Sequence, residues 1–528
     1  MSDTVNSSAE SDRPVPLKLV PPAGDEIAAE FSKPLTATNP NSVTAIFVWT
    51  TAASLLLLLF LGLVALGITP VSAISAAYPV DVLAILITLD LFSIYVVQTG
   101  ALDAVGLKLA LLTRGRAEIA ALLMGLLMFA SSALLNNLAA IFVLAPVFLT
   151  LLRAMRAPPT ITRTFLSLML VLCNLGGMAT PMGDFPAIML MSSGLVGFTP
   201  YLAGAFPLAA SMAMIAILSY ALSIRLERAR IAVEGDGART RISLSMMQIR
   251  HRHRRPDALR AIALAFVFVG MVVAWATIPP SPWPFFMTAI VGAAAATIVA
   301  GPRHSAKALK SYDLSTIVVM AAILLIAALA TVSGGVGAAA AALVEAVPGG
   351  GLWLLIALMI LVAIAAGLFS AGPATAAVLP VFVTLSRGPL AENEDLLGVA
   401  FAASICAGSS MFMHSATAGM ALRGEAQKAG FNDASGRTTW DWANHVQWGV
   451  VTSLSQLALS IGWIVLSATS EHSWLLRLAP LGLTVLMIGI IARAFAPGPR
   501  SVARTSGLAL ACIGVAVVLT ALTFAVVT

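Results

Sequence analysis

The sequence predicts an all-α polytopic membrane protein, with about 11 transmembrane segments plus two re-entrant hairpins in inverted-topology repeats. Three observations predict it. The chain of 528 residues is 59% hydrophobic and only 10% charged. Apolar runs of about 20 residues recur along it, the length that spans a bilayer. Two further apolar stretches, 117–154 and 351–386, are interrupted at their centres, and the two interruptions resemble each other.

In chain order, residues 1–42 are polar and proline-rich and lack the apolar core of a signal peptide, so they read as a disordered cytoplasmic tail. Crossings are expected near 43–68, 79–98, 163–195, 199–227, 257–279, 282–301, 311–332, 396–422, 440–468, 474–497 and 505–527. With the N-terminus inside, the positive-inside rule places Lys108, Arg114 and Arg116 in the cytoplasm. It does the same for Arg153, Arg156 and Arg163, for the basic stretch from Arg250, and for Arg303, Lys307 and Lys310. This divides the chain into a first half, 43–227, a basic cytoplasmic loop, 228–256, a second half, 257–468, and two additional C-terminal helices, 469–528. The net charge of +6 is spent in these short loops and does not imply nucleic acid. Cys173, Cys406 and Cys512 all lie in apolar stretches and read as packing residues.

The halves repeat. "LLNNLAAIFVLAPVFLTLLR" (Leu134–Arg153) returns as "LFSAGPATAAVLPVFVTLSR" (Leu368–Arg387), with Pro146 matching Pro380. "LCNLGGMATPMGDFPAIML" from Leu172 returns as "ICAGSSMFMHSATAGMAL" from Ile405. An odd number of crossings separates the matched elements, so the halves are expected to be inverted. Inverted repeats with matched breaks point to a secondary transporter.

A helix that stops inside the membrane frees backbone groups that need partners. Asn136 and Asn137 in the first hairpin can bond those groups, bind an ion through the amide oxygen, or do both. In the second hairpin Ser370 and Thr375 supply hydroxyls beside Gly372 and Pro373. In the second pair of breaks, Asn174, Ser409, Ser410, Ser415 and Thr417 are candidates for substrate or ion contacts, or for bonds to their own helices. Asp184 sits at a break in a membrane segment, where a carboxylate is costly unless paired, hydrated or protonated. It reads as an ion- or proton-binding group, as a cap for the following half-helix, or as both. Asp90, deep in a crossing, and His414, in a break, are the candidates for proton coupling.

"LNNLAAIFVLAPV", "NLGGMATPMGDFPAIML", "TGALDAVGLKLALLTRGR" and "SAGPATAAVLPV" resemble motifs of the ion transporter superfamily. That group includes arsenite permeases, a class of Na⁺/H⁺ antiporters, and citrate and dicarboxylate symporters. The resemblance covers most of 79–468. It implies a scaffold domain and a hairpin-bearing transport domain, often moving as an elevator, and favours a homodimer. Asn136 stands where the arsenite-permease pattern has aspartate, and Ala371-Gly372 where the dicarboxylate branch has Asn-Thr.

The expectation is a secondary active transporter, not an enzyme. It would move a small inorganic or organic anion, or an oxyacid, across the bilayer of the cell inner membrane. The coupling ion would be Na⁺ or H⁺, with no other cofactor or metal. The alternative is a Na⁺/H⁺ antiporter using Asp184 and Asp90; an integral membrane enzyme is more remote.

Overall fold

The computed structural model describes residues 71–231, 256–279, 281–312, 314–347, 349–432, 438–469, 479–495 and 510–518. These all belong to one compact unit, Ala53–Thr528; the other, Met1–Ala52, lies outside the described residues. So do the expected tail, the crossing at 43–68, most of the basic loop and much of the last crossing.

The described chain is helical throughout apart from one isolated bridge, Asn432 to Thr438. The first half runs α1 (Val71–Ala77), α2 (Val80–Gln98), α3 (Ala101–Leu112), α4 (Ala117–Leu134), α5 (Asn137–Ala154), α6 (Pro159–Ala179), α7 (Phe185–Ser192) and α8 (Phe198–Ile231). Next come α9 (Ala258–Thr277) and α10 (Phe285–Ser311), then α11 (Leu314–Val332), α12 (Gly335–Ala346), α13 (Gly351–Phe369) and α14 (Ala371–Ser386). The chain continues with α15 (Glu394–Ser409), α16 (Thr417–Lys428), α17 (Trp442–Thr469) and α18 (Ala479–Phe495). Among the described residues nine helices are long and apolar enough to cross a membrane, and α11 with α12 forms a further pair bent by 70°. The protein is a multi-pass, all-α membrane protein.

The repeat extends into helix boundaries. α2 and α11 are both 19 residues long, and α3 and α12 both 12. The starts of α2 and α11, α3 and α12, α4 and α13, and α5 and α14 are all separated by the same interval (314 − 80 = 234). Each of α3 and α12 follows a glycine in the left-handed region, Gly100 (φ 68°) and Gly334 (φ 81°), where a β-carbon would be strained. The chain thus turns at the same point in both halves.

Close contacts fix the helix directions. A β-carbon at Gly176 of α6 would lie 2.5 Å from the Phe129 carbonyl oxygen and 2.7 Å from Ser132 of α4. At Gly408 of α15 it would lie 2.2 Å from the Ala363 carbonyl oxygen and 2.7 Å from Ala366 of α13. Glycine lets the helix backbones touch, as small residues do between membrane helices. Gly125 of α4 faces Leu172, Gly176 faces Phe129, and Thr180 reaches Ala133, so α4 and α6 run parallel. α5 joins the end of α4 to the start of α6 and must run back, which puts both ends of 117–154 on one side. Gly408 facing Ala363 and Ser415 reaching Gly367 give the same result for 351–386.

α8 relates the two bases. Arg228, near its end, meets Glu118 at the base of the first hairpin, 3.1 Å away. Gly204, near its start, meets Val399 at the start of α15, beside the base of the second hairpin. The 24 residue steps between them span about 36 Å of helix. The two bases therefore lie at opposite ends of α8.

Most buried apolar residues form one continuous core across both halves. A smaller cluster around Phe92, Tyr95, Leu264 and Ala296 joins α2, α9 and α10. Three details differ from expectation. Residues 302–311, which read as a loop from their cations, continue α10 beyond a kink at Gly301, because Pro302 can open a helix. α12 is an additional helix. Cys173 and Cys406 are buried, whereas Cys512 is exposed.

Overpacking tests the close approach. Gly176→Val and Gly408→Val should each destabilise the protein by about 1–3 kcal/mol. Gly462→Ala, where a β-carbon meets open space, should stabilise it by about 0.5–1 kcal/mol through helix propensity. Thermal unfolding of the detergent-extracted variants measures all three.

Candidate functional site

Each hairpin breaks at one or two residues. α4 ends at Leu134 and α5 begins at Asn137. The Asn136 side chain accepts from Leu138 N at 2.9 Å, an N-cap on its own half-helix, and donates from Nδ2 to Asp90 Oδ1 at 3.2 Å. Its backbone N–H reaches Ser93 Oγ at 3.4 Å. The tip of the first hairpin is thereby tied to two polar groups of α2.

Asn137 points the other way, into the core. The Ser132 hydroxyl shares its one proton between Asn137 Oδ1 and, at 2.6 Å, the Cys173 carbonyl. The Asn137 amide also bonds toward the Asp184 carboxylate. Gly177 lies under this pair, where a β-carbon would come within 2.8 Å of Asn137 Oδ1 and 2.9 Å of Asp184 Cβ. Asp184 caps α7 by accepting from Phe185 N at 2.8 Å. The sequence left capping and binding both open for this residue. The structure shows the cap and also a carboxylate facing the Asn137 amide.

The second hairpin meets the same place. A β-carbon on Gly372, in the first turn of α14, would lie 3.5 Å from the Phe185 ring. Phe185 adjoins Asp184 in the chain, so both hairpin tips converge on the start of α7. Ser370 sits at the break with φ 79°, in the left-handed region where a side chain is strained. It makes no side-chain cap bond to α14.

A second polar group lies between the halves. Asn174 Nδ2 donates to the Ser409 carbonyl at 3.0 Å and approaches Ser410 Oγ at 3.3 Å, and its Oδ1 is buried without a partner among the described residues. The Ser410 carbonyl lies 3.2 Å from His445 Nε2, while His445 Nδ1 lies 3.1 Å from Ser167 Oγ. The Ser409 and Ser410 hydroxyls both bond back to the Cys406 carbonyl.

Other candidates serve the backbone. Thr375 bonds the Ala371 carbonyl of its own helix at 2.7 Å. Ser415 bonds the Gly367 carbonyl at 2.5 Å, near the end of α13. Thr180, at the corresponding break of the first half, bonds the Ala133 carbonyl at 2.5 Å, near the end of α4. Both bonds satisfy carbonyls that the hairpin breaks release. His414 and Thr417 are exposed, and His414 stacks on Phe412 with ring centroids 5.6 Å apart.

The structure thus brings Asp90, Asn136, Asn137 and Asp184 together at the first tip, and Asn174, Ser409 and Ser410 at the junction of the halves. His414 and Thr417 stay exposed, with no side-chain hydrogen bond to either group among the described residues. Ser93, Ser132, Thr180 and His445 were missed from sequence. His445 carried a signal, a histidine inside a 28-residue apolar helix. The hydroxyls carried none, because Ser and Thr are common in such helices.

Thr180→Val and Ser415→Ala should each leave a buried carbonyl unpaired, at a cost of about 1–3 kcal/mol. Thr375→Val should be near neutral, since its hydroxyl adds a second bond within one helix. Midpoints of thermal unfolding at matched expression separate the two cases.

The chain is similar to known proteins in two comparisons. Residues 43–405 match the family model described as citrate transporter. Over 150 residues the chain is 27% identical to magnetosome protein MamN of Paramagnetospirillum magneticum, covering 28% of this chain and 33% of that one. The match thus spans about a third of the length of that relative. The family match covers well over half of this chain, through both hairpins and into α15. With its broken apolar helices and paired hairpin tips, the protein belongs to the citrate transporter family.

Proposed function

We propose that the protein is a secondary active transporter of a citrate-like polycarboxylate, coupled to Na⁺ or H⁺ bound at Asp184. The observation that carries this reading is the unequal capping of the four half-helices. In the first half, α5 and α7 are capped by the oxygens of Asn136 and Asp184. In the second, α14 and α16 have no side-chain cap. Free N–H groups at half-helix starts favour an anion. A carboxylate and amide oxygens favour a cation. One pole of each kind suits joint binding of an anion and its coupling ion.

Composition supports the cation. From Thr164 to Ile224 the only charged residue is Asp184, and 396–422 contains no Lys, Arg, Asp or Glu. No basic side chain pairs with Asp184 among the described residues. A sodium ion or a proton would supply that charge. Opposite placement of the hairpin bases along α8 supports inverted halves and alternating access. By the same reading the protein is a homodimer of the inner membrane, with its N-terminus in the cytoplasm. The Na⁺/H⁺ antiporter reading draws on the same carboxylates, Asp184 and Asp90, and on the lack of Lys or Arg to receive an anion.

Flux into proteoliposomes under imposed Na⁺ or pH gradients tests the proposal. Labelled citrate should accumulate under one gradient. Asp184→Asn keeps a good cap, so its stability should hold while gradient-driven uptake falls at least tenfold, about the effect of 1.4 kcal/mol. Unchanged coupled uptake in Asp184→Asn would remove the carboxylate from the mechanism. Na⁺-dependent proton movement with no anion requirement would establish the antiporter instead.

A further inference from the structure

A cavity of about 300 Å³ opens far from the hairpin tips, lined by Leu152, Arg153, Arg156, Ala157, Gly430 and Phe431. It lies where the ends of α5 and α16 meet, on the side that the positive-inside rule assigns to the cytoplasm. From this cavity we infer that the protein has a second binding site, for a multivalent oxyanion such as a phosphate group, held by Arg153 and Arg156.

Three features carry the inference. The first is backbone geometry. Ala157 N bonds the Leu152 carbonyl and Arg156 N bonds the Arg153 carbonyl, each at 3.0 Å, the paired bonds of a Schellman ending. The left-handed residue of that ending is usually glycine; here it is Arg156, with φ 47°. α16 ends the same way, with Phe431 N on Ala426 and Gly430 N on Gln427, and there the left-handed residue is Gly430, φ 68°. One ending uses the ordinary residue, and the other accepts strain to place a guanidinium at the cavity.

The second feature is charge. Neither Arg153 nor Arg156 pairs with a carboxylate among the described residues, and the nearest acid on α16, Glu425, is paired with Lys428 at 2.8 Å. The two helix C-termini contribute roughly half a negative charge each. Two guanidiniums exceed that by about one positive charge. Neutralising helix ends therefore accounts for only one of the two arginines.

The third is positioning. Arg153 lies over the Phe431 ring, 5.8 Å from its centroid, and a β-carbon on Gly430 would lie 3.4 Å from its Nη2. That contact holds Arg153 against the cavity wall, and guanidinium donors suit phosphate or carboxylate. The inference does not rest on the transport reading.

Thermal unfolding of the purified full-length protein tests it in two arms. In delipidated detergent solution, inorganic phosphate is compared with chloride at equal ionic strength. In nanodiscs, phosphatidylglycerol is compared with phosphatidylcholine. A raised midpoint with phosphate alone identifies a soluble oxyanion as the ligand; one with phosphatidylglycerol alone identifies a lipid headgroup. Either shift should vanish in Arg156→Gly and Arg153→Gln and persist in Lys307→Gln, which removes a charge elsewhere. Arg156→Gly removes the guanidinium while relieving the backbone, so its own midpoint should not fall. No shift in either arm, or an equal shift in Arg156→Gly, would overturn the site.

Discussion

Backbone satisfaction inside the membrane is the constraint on which the rest of this structure depends. Four helices stop within the apolar region, and each stop releases carbonyls and amides that lipid cannot bond. The protein answers in the same way twice. Thr180 takes the Ala133 carbonyl and Ser415 takes the Gly367 carbonyl, so the second break of each half closes the arm of its own hairpin. Gly176 and Gly408 make those bonds reachable by letting α6 and α15 lie against α4 and α13. The hydroxyl and the glycine act together, because a larger residue at either glycine would hold the hydroxyl away.

The halves share this solution and differ in what they do with the tips. One repeat interval beyond Asp90 stands Leu324, fully buried, and beyond Asn136 stands Ser370, which caps nothing. Among the described residues, titratable and amide groups collect at the first tip. The second retains strained backbone at Ser370 and a half-helix start with no side-chain cap. On the proposed reading, matched halves carry an unmatched site, with acceptors on one side and uncapped helix starts on the other.

Much of this was legible in the sequence. The hairpins, the matched breaks and the residues Asn136, Asn137 and Asp184 followed from apolar runs interrupted by Asn, Gly and Pro. α12 was missed because "GGVGAAAAALVEAV" is small and weakly patterned, though carrying α3 forward by the repeat interval would have located it. The partners of the freed carbonyls were not legible, since a hydroxyl that closes a distant hairpin looks like one that bonds its own helix, as Thr375 does. His414 drew attention by lying in a break, but its ring faces outward on Phe412, while His445, in an unbroken helix, links the Ser410 break to α6. Position in a break told which backbone was free, and only the fold told which side chains reach it.

The proposed coupling follows from electrostatics more than from any moving part. A negative charge 5 Å from an ionised Asp184 is repelled by about 3 kcal/mol at an effective dielectric constant of 20. That is roughly a hundredfold in affinity for each charge on the anion. Two uncapped half-helix ends return about 0.3–1 kcal/mol each at exposed sites, and up to about 2 when partly buried. For a singly charged anion the two effects nearly balance. For a polycarboxylate both effects grow with each charge, so any repulsion that weakly acting helix ends leave uncancelled grows as well. A proton or Na⁺ on Asp184 removes the repulsion at its source. On this argument the cation binds before or with the anion, and a variant such as Asp184→Asn would still bind a polycarboxylate while losing the gradient that drives it.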